Sequence, residues 1–304
     1  MNVTVGMVGL GRMGGNMSRR LARAGHTVVA WDRADAARAA LVDEPRIEPA
    51  PTLEELVNRL PTPRRVWLML PAGEPTDATL VQLADLMGRG DVVVDGANAF
   101  YRDSQRHAAD LARRGIGLVD AGVSGGVWGL ENGYGLMVGG DDDAVQAVEP
   151  VLRALAPSPE RGWVHCGRPG AGHYAKMVHN GIEYGMMQAY AEGLALLRAK
   201  TDLELDVAKV AEAWRHGTVI RSWLLDLTAG FLAADAELAD IAPYVADSGE
   251  GRWTAHESIE LGVPTPVMTL ALMERFASQG RADYANRVLA RMRQAFGGHA
   301  VKPG

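Results

Sequence analysis

The sequence predicts an α/β Rossmann-type N-terminal domain followed by an all-α C-terminal domain. Short β-branched and aliphatic segments alternate with helical patterns through residues 1–167. A glycine-rich turn follows the first of these segments and opens the first helical pattern. Residues 168–304 show helical patterns without convincing strands. Strand–helix alternation is typical of a mostly parallel sheet with helices on both faces, so we expect two domains that meet near Gly167.

The predicted elements follow from hydrophobic periodicity and from the turn residues that separate them. The strands are predicted at 3–10, 27–31, 66–70, 92–94, 116–119, 134–138 and 163–166. Helices between them are predicted at 13–24, 76–87, 104–114 and 142–155. In the second domain, helices are predicted at 173–200, 206–216, 220–233 and 265–296.

Composition and charge exclude several classes of function. The net charge of −6 disfavours nucleic acid and anionic membranes as partners. Cys166 is the one cysteine, so neither an intrachain disulfide nor a thiolate metal site is expected. We find no His, Asp and Glu cluster with metal-ligand spacing and expect a metal-independent protein. No leader pattern or membrane-spanning apolar run stands out, which favours a cytoplasmic location.

A dinucleotide-binding turn is predicted at Gly9-Leu10-Gly11-Arg12-Met13-Gly14. This G-x-G-x-x-G pattern lies between a predicted strand and a predicted helix, which is the context that makes the motif informative. Gly9 permits the tight turn, Gly11 lets a pyrophosphate approach the backbone, and Gly14 allows close packing of helix on strand. The helix N-terminus then offers amide donors to the anion.

The choice between NAD and NADP rests on Asp32 and Arg33. Asp32 ends the second predicted strand, 21 residues after Gly11, where a carboxylate accepts hydrogen bonds from the adenosine ribose and repels a 2′-phosphate. This favours NAD. Arg33 could instead hold a 2′-phosphate, so NADP stays open, and Asp32 could alternatively cap the following helix.

Polar turns follow other predicted strands. Ser124, Gly125 and Gly126 offer a hydroxyl and backbone amides that suit a carboxylate or alkoxide, and Asn98 could contact substrate or nicotinamide. Because ligands of doubly wound folds gather beyond the carboxyl ends of strands, we expect these residues at the site. Residues 247–254 form a further polar, glycine-rich segment, predicted as a loop.

One face of the long predicted helix carries polar groups. Lys176, His179, Asn180 and Glu183 lie at i, i+3, i+4 and i+7, which places all four on one helix face. The surrounding positions are apolar, so this stripe predicts a lined cavity with a base and an acid. A solvated face with a Lys–Glu ion pair is the alternative interpretation.

Together these motifs resemble a known family. The chain is similar to decarboxylating 6-phosphogluconate dehydrogenases of the short bacterial type that often use NAD, within the β-hydroxyacid dehydrogenase superfamily. The segments that carry the resemblance are GLGRMGGNM (9–17), DAGVSGGVWGLENGYGLMVGG (120–140), GAGHYAKMVHNGIEYGMMQAYAEG (170–193), RSWLLDLTA (221–229), DSGEGRWT (247–254) and RQAFGGH (293–299).

The resemblance implies roles by position. Lys176 resembles the base that takes the 3-hydroxyl proton during hydride transfer, and Glu183 resembles the acid that protonates C1 of the enediol after carbon dioxide leaves. Protonated Lys176 can hydrogen-bond the keto oxygen, so this chemistry needs no metal. Six residues match substrate contacts: Asn98, Ser124, Gly125, Gly126, His179 and Asn180.

Contacts to a substrate phosphate are also implied by the resemblance. Tyr184 and Arg252 match phosphate-side positions, although many relatives have Lys where Arg252 stands. Arg281 is a further phosphate contact in a loosely matching segment. Arg293 and His299 resemble residues that reach a neighbouring subunit's site in longer relatives, and whether they serve their own or a neighbouring site stays open. The implied partners are a phosphorylated sugar acid and further copies of the chain in a homodimer or homotetramer.

Other functions remain alternatives at this point. A β-hydroxyacid dehydrogenase acting on 3-hydroxyisobutyrate or a similar small acid would share the glycine turn, the Ser-Gly-Gly turn and Lys176. A catalytically silent NAD-binding protein could use the same fold. An imine reductase is disfavoured by the retained lysine.

Overall fold

The computed structural model describes residues 2–297 and 300–302. By backbone proximity the chain divides into two compact units after Met177. This division falls inside one continuous helix, and the predicted domain boundary at Gly167 stays a prediction. In the part of the chain that the structure describes, no helix is both long and apolar enough to cross a membrane.

The first unit contains an eight-stranded sheet in the order β3-β2-β1-β4-β5-β6-β7-β8. The strands are β1 (Thr4–Val8), β2 (Thr27–Trp31), β3 (Ile47–Pro49), β4 (Arg65–Leu68), β5 (Val92–Asp95), β6 (Gly117–Ser124), β7 (Gly135–Gly140) and β8 (Trp163–Gly167). Strands β1 to β6 are parallel, while β7 is antiparallel to β6 and parallel to β8. The predicted Rossmann-type architecture is confirmed.

Helices cover both faces of this sheet. They are α1 (Arg12–Arg23), α2 (Asp35–Ala39), α3 (Leu53–Arg59), α4 (Glu74–Leu86), α5 (Tyr101–Ala112), α6 (Gly129–Asn132), α7 (Asp142–Leu155) and the first turns of α8 (Ala171–Ala199). The three consecutive valines of β5 suit a strand that is buried on both faces. Val92 and Val94 enter one hydrophobic cluster and Val93 enters the other, so both faces of the strand are buried.

The second unit is helical, as predicted. It contains the rest of α8, then α9 (Val207–Trp214), α10 (Trp223–Ala234), α11 (Glu250–Leu261), α12 (Pro266–Ser278) and α13 (Asp283–Gly297). The predicted single helix over 265–296 is wrong, because the chain breaks at Gly280, which has φ +75°. The loop predicted over 247–254 is also only partly correct, since α11 begins at Glu250. Gly249, with φ +107°, turns the chain into this helix.

The start of α8 packs unusually close to the sheet. A Cβ added at Gly172 would lie 2.5 Å from the carbonyl oxygens of Asp120 and Met137, so only glycine allows this approach. The buried carboxylate of Asp120 accepts hydrogen bonds from the backbone amides of Gly170, at 2.6 Å, and His173, at 2.8 Å. It thereby satisfies amides that the first turn of a helix leaves without intrahelical partners.

Alanine at Gly172 should lower the free energy of unfolding by about 1–3 kcal/mol, because the added methyl group overpacks against backbone. Gly193 provides a matched control in the same helix. A Cβ added there meets no described atom within 4 Å, so Gly193→Ala should raise the free energy by about 0.5–1 kcal/mol. Urea unfolding of the two variants checks both signs, and equal effects would contradict the close packing at Gly172.

Candidate active site

The glycine-rich turn has the geometry of a phosphate-binding turn. Gly9 has φ +90°, and a Cβ there would lie 2.5 Å from the carbonyl oxygen of Met69. A Cβ at Gly14 would lie 1.9 Å from the carbonyl oxygen of Gly9, so helix α1 packs directly on the turn. A Cβ at Gly11 meets no described atom within 4 Å, which leaves open space at the start of α1.

This open space suits a dinucleotide pyrophosphate. Gly11 is the N-cap of α1 and supplies no capping side chain, so the first amides of the helix can donate to an anion. Of the other predicted cofactor contacts in the turn, Leu10 is buried, Met13 is half-buried and Arg12 is exposed. These residues fit the cofactor that the motif implies.

Asp32 fixes the turn from the end of β2. Its Oδ2 accepts a hydrogen bond from the Leu10 amide at 2.7 Å, and its Oδ1 accepts one from the Ala34 amide at 2.8 Å. The second contact lies just before α2, which begins at Asp35. Arg33 is exposed beside it. The carboxylate is therefore held at the strand end, where the ribose of a dinucleotide is expected.

The predicted substrate residues of the first unit lie at or just after the ends of β5 and β6, which are neighbouring parallel strands. Asp95 pairs with Asp120 in the sheet register. The buried Asp95 accepts a hydrogen bond from the Ala97 amide at 3.0 Å and so orders the turn that leads to the exposed Asn98. Ser124 is the last residue of β6, and Gly125 and Gly126 follow it with φ +129° and +53°. These positive angles explain the two glycines.

Lys176 lies against strand β6. Its side chain is only 9% exposed. A Cβ added at Gly122, two residues before Ser124, would lie 2.3 Å from the Lys176 Cβ. The glycine in β6 therefore makes room for the lysine, and the first unit brings Lys176 close to the strand that ends in the Ser-Gly-Gly turn.

In the second unit, α8 continues with the remaining polar stripe. His179 Nδ1 lies 3.1 Å from Asn180 Oδ1 and 3.8 Å from Glu183 Oε2. Asn180 is buried and its amide nitrogen donates to Glu250 Oε1 at 3.3 Å. Glu250, the first residue of α11, is only 4% exposed. Sequence reasoning missed this carboxylate, because a Glu in a glycine-rich polar segment carries no signal of burial.

Tyr184 is the centre of a second polar cluster in this unit. Its hydroxyl lies 3.2 Å from Ser248 Oγ, and the Arg275 guanidinium carbon lies 3.4 Å from the centroid of its ring. Burial raises the pKa of the Tyr184 phenol, and the hydrogen bond with Ser248 partly opposes this shift. Arg275 was also missed from sequence, because one arginine near the end of an apolar helix is ordinary.

Of the other cations predicted to contact the phosphate, two lie beside the same aromatic ring. The Arg252 side chain donates to Asp247, and its guanidinium lies 4.5 Å from the centroid of the Phe276 ring. The exposed Arg281 lies 5.4 Å from the centroid of the same ring, so Phe276 brings these two cations together. Arg293 is exposed on α13, and His299 lies outside the described residues.

The described residues, 2–297 and 300–302, contain no candidate metal site. No group of three or more His, Cys, Asp or Glu side chains there is arranged to hold a metal ion.

Comparisons with known families cover both units. The family model described as the NAD binding domain of 6-phosphogluconate dehydrogenase matches residues 4–167, and the model of the 6-phosphogluconate dehydrogenase C-terminal domain matches residues 172–300. The chain belongs to the 6-phosphogluconate dehydrogenase family. The resemblance predicted from the motifs is thus confirmed, and the protein is an oxidoreductase with an NAD-binding domain.

Individual relatives agree with this assignment. The chain is 44% identical to the NAD(+)-dependent, decarboxylating 6-phosphogluconate dehydrogenase of Haloferax volcanii, over 98% of either protein. Among solved structures, 6-phosphogluconate dehydrogenase of Plasmodium falciparum superposes with a TM-score of 0.84 at 28% identity, over 99% of this chain and 67% of that one. A 3-hydroxyisobutyrate dehydrogenase of Mycobacterium tuberculosis gives a TM-score of 0.73 at 24% identity, over 93% and 94% of the two chains, which shows a common fold alone.

Replacement of Tyr184 by Phe should reduce the loss of stability at alkaline pH. The raised pKa means that folded protein holds the phenol proton more tightly than unfolded protein. The resulting stabilisation is complete below the unfolded pKa of about 10 and is lost as pH rises through the folded value. Urea unfolding at about pH 8 and about pH 11 measures this difference.

Tyr284→Phe is the control, because Tyr284 lies in the same unit and is 79% exposed. It should leave the alkaline decline of the free energy of unfolding unchanged. The same decline in wild type and in Tyr184→Phe would contradict the role of burial.

Proposed function

We propose that this chain catalyses the oxidative decarboxylation of 6-phospho-D-gluconate to D-ribulose 5-phosphate and carbon dioxide, with reduction of NAD. The observation that carries the proposal is membership of the 6-phosphogluconate dehydrogenase family over both units, together with a buried lysine on α8 that packs against the strand ending in the Ser-Gly-Gly turn. The relative from Haloferax volcanii, which this chain matches over 98% of its length, is named as NAD(+)-dependent.

The cofactor contacts of the chain favour NAD. When bound, the nicotinamide accepts the hydride from the substrate alcohol. The amides at the start of α1 bind the pyrophosphate, and Asp32, held by Leu10 and Ala34, accepts from the adenosine ribose. A carboxylate in this position repels a 2′-phosphate. Arg33 is exposed next to it, so use of NADP is the alternative that the cofactor assay must compare.

Lys176 acts as the base for the alcohol. Its neutral amine takes the proton of the substrate 3-hydroxyl as hydride leaves the same carbon. The resulting β-keto acid loses carbon dioxide, because the ketone accepts the electron pair of the broken bond. The ammonium of Lys176 then donates a hydrogen bond to that oxygen, which carries the developing negative charge.

Glu183 completes the reaction as the acid. It donates its proton to C1 of the enediol, which gives the ketose product. Glu183 follows Lys176 by seven positions on α8, about 10 Å along the helix axis. This spacing lets the two groups act at different carbons of an extended sugar acid.

The remaining polar residues bind and orient the substrate. The contacts to its carboxylate and hydroxyl groups are Asn98, Ser124, Gly125, Gly126, His179 and Asn180. Tyr184, Arg252 and Arg281 bind the phosphate, and the position of Arg275 over the Tyr184 ring adds a cation to this group. Arg293 and His299 contribute to the same or a neighbouring subunit's site in a homodimer or homotetramer.

Activity with phosphorylated and unphosphorylated acids tests this proposal. Wild-type protein should reduce NAD with 6-phosphogluconate and release one carbon dioxide for each NADH, and NADP should be a poorer oxidant. The 3-hydroxyisobutyrate type of reaction has no need for phosphate-binding cations. Turnover of 3-hydroxyisobutyrate without turnover of 6-phosphogluconate would overturn the proposed substrate.

Removal of the proposed base should lower kcat without loss of the fold. Lys176→Ala should reduce kcat by a factor on the order of 10²–10⁴, because general base catalysis of the hydride step is lost. Lys209, with a side chain that is 85% exposed on α9, supplies the control variant Lys209→Ala, which should keep wild-type turnover. Steady-state kinetics with 6-phosphogluconate and NAD make the comparison, and near-normal turnover of Lys176→Ala would refute the role.

A further inference from the structure

Glu250 is a buried carboxylate for which the proposed reaction has no role. Its side chain lies at the start of α11, 4% exposed, and its Oε1 accepts a hydrogen bond from Asn180 Nδ2 at 3.3 Å. Asn180 is itself only 8% exposed. A contact between two buried polar side chains of distant segments constrains both of them.

The contact continues along α8 to the proposed acid. Asn180 Oδ1 lies 3.1 Å from His179 Nδ1, and the same ring nitrogen lies 3.8 Å from Glu183 Oε2. Four side chains thus form one chain, which we call the Glu250–Glu183 chain: Glu250, Asn180, His179 and Glu183.

The direction of the hydrogen bonds in this chain follows from Glu250. A carboxylate only accepts, so the Asn180 amide must turn its NH₂ group towards Glu250. Its oxygen then faces His179 Nδ1. Because that oxygen only accepts, Nδ1 must carry a proton, and a neutral His179 ring has its lone pair on Nε2.

This tautomer matters for Glu183. An Nδ1 that already carries a proton cannot take one from the carboxyl group beside it. If the Asn180 amide were reversed, its NH₂ group would face Nδ1, which would then carry a lone pair instead of a proton. Whenever that amide moved away, Nδ1, which lies 3.8 Å from Glu183 Oε2, could take the acid proton.

We propose that Glu250 is a positioning residue that sets the Asn180 amide and the His179 tautomer, and so reserves the proton of Glu183 for the substrate carbon. The consequence for catalysis rests on the proposed function, whereas the tautomer is a property of the protein without substrate. The two can therefore fail separately.

Ring nitrogen NMR of full-length protein labelled with ¹⁵N-histidine tests the tautomer, at a pH where the His179 ring is neutral. His179→Gln identifies the His179 signal by its loss. Wild type should show the Nδ1–H tautomer. Glu250→Leu removes the acceptor, so both amide orientations and both tautomers should be populated. Glu274→Leu, an exposed position on α12, is the control and should leave the signal unchanged.

A swapped pair separates this role from a general effect on packing. In the double variant Glu250→Gln with Asn180→Asp, the new amide on α11 donates to the new carboxylate on α8, and that carboxylate accepts from His179 Nδ1. The Nδ1–H tautomer should therefore return. An Nε2–H tautomer in wild type would overturn the proposal, as would an unchanged tautomer in Glu250→Leu or the absence of the Nδ1–H tautomer in the swapped pair.

Kinetics with 6-phosphogluconate test the consequence for Glu183. In Glu250→Leu, formation of NADH in the first turnover should stay near the wild-type rate, because hydride transfer precedes protonation of carbon. Steady-state turnover should then fall by a factor on the order of 10 to 10², as expected for a misplaced catalytic group. Equal slowing of the first turnover and the steady state would overturn the positioning role. Wild type that is inactive with 6-phosphogluconate but keeps the expected tautomers would instead refute the proposed function.

Discussion

The close approach of the first turn of α8 to strands β6 and β7 is the constraint on which the rest of the site depends. Gly172 gives the helix its depth, and a Cβ at Gly139 would lie 2.8 Å or less from the amide nitrogens of Ala171 and Gly172. Gly122 leaves room for the stem of Lys176. A side chain at any of these glycines would displace the helix that carries the lysine. Local backbone packing in the first unit therefore decides where the amine lies.

Carboxylates in the strands or directly after them have a common task in this fold. Asp32, Asp95 and Asp120 each accept hydrogen bonds from backbone amides of a following or neighbouring segment. Asp32 and Asp95 thereby order the segments that follow β2 and β5, and Asp120 holds the start of α8, so that these amides have partners. Both carboxylate oxygens of Asp32 and of Asp120 accept from backbone amides, as does Oδ1 of Asp95. The Asp32 carboxylate combines this task with the proposed contact to ribose.

Elements with a strong hydrophobic periodicity were predicted correctly from the sequence. The regular strand–helix alternation of the first unit and the long pattern of α8 were predictable, because each buries a repeated apolar face. Short elements such as α2 (Asp35–Ala39) and β3 (Ile47–Pro49) were missed, since three to five residues hold too little pattern. Gly280 ended a helix that looked continuous, because its neighbours on both sides are good helix formers.

The residues of the candidate site also differ in how well the sequence predicts them. Residues in motifs, such as the glycine turn and the stripe from Lys176 to Glu183, were recognisable as candidates from their spacing, although spacing left a solvated Lys–Glu face as the alternative for the stripe. Glu250 and Arg275 were not, because their importance comes from partners far away in sequence. Asn180 contacts Glu250 and Tyr184 contacts Arg275 only after α11 and α12 have packed in the second unit. Tertiary contacts of this kind leave no local trace in one sequence.

The continuity of α8 has a consequence for how the gene can change. Lys176 and Glu183 are separated by fewer than two full helical turns on one unbroken helix. Insertion or deletion of a single codon between them would rotate one side chain against the other by about 100° and shift it by about 1.5 Å. A substitution between the two residues leaves their spacing unchanged, whereas a change of length moves every later side chain to another face. The segment is therefore expected to keep its length.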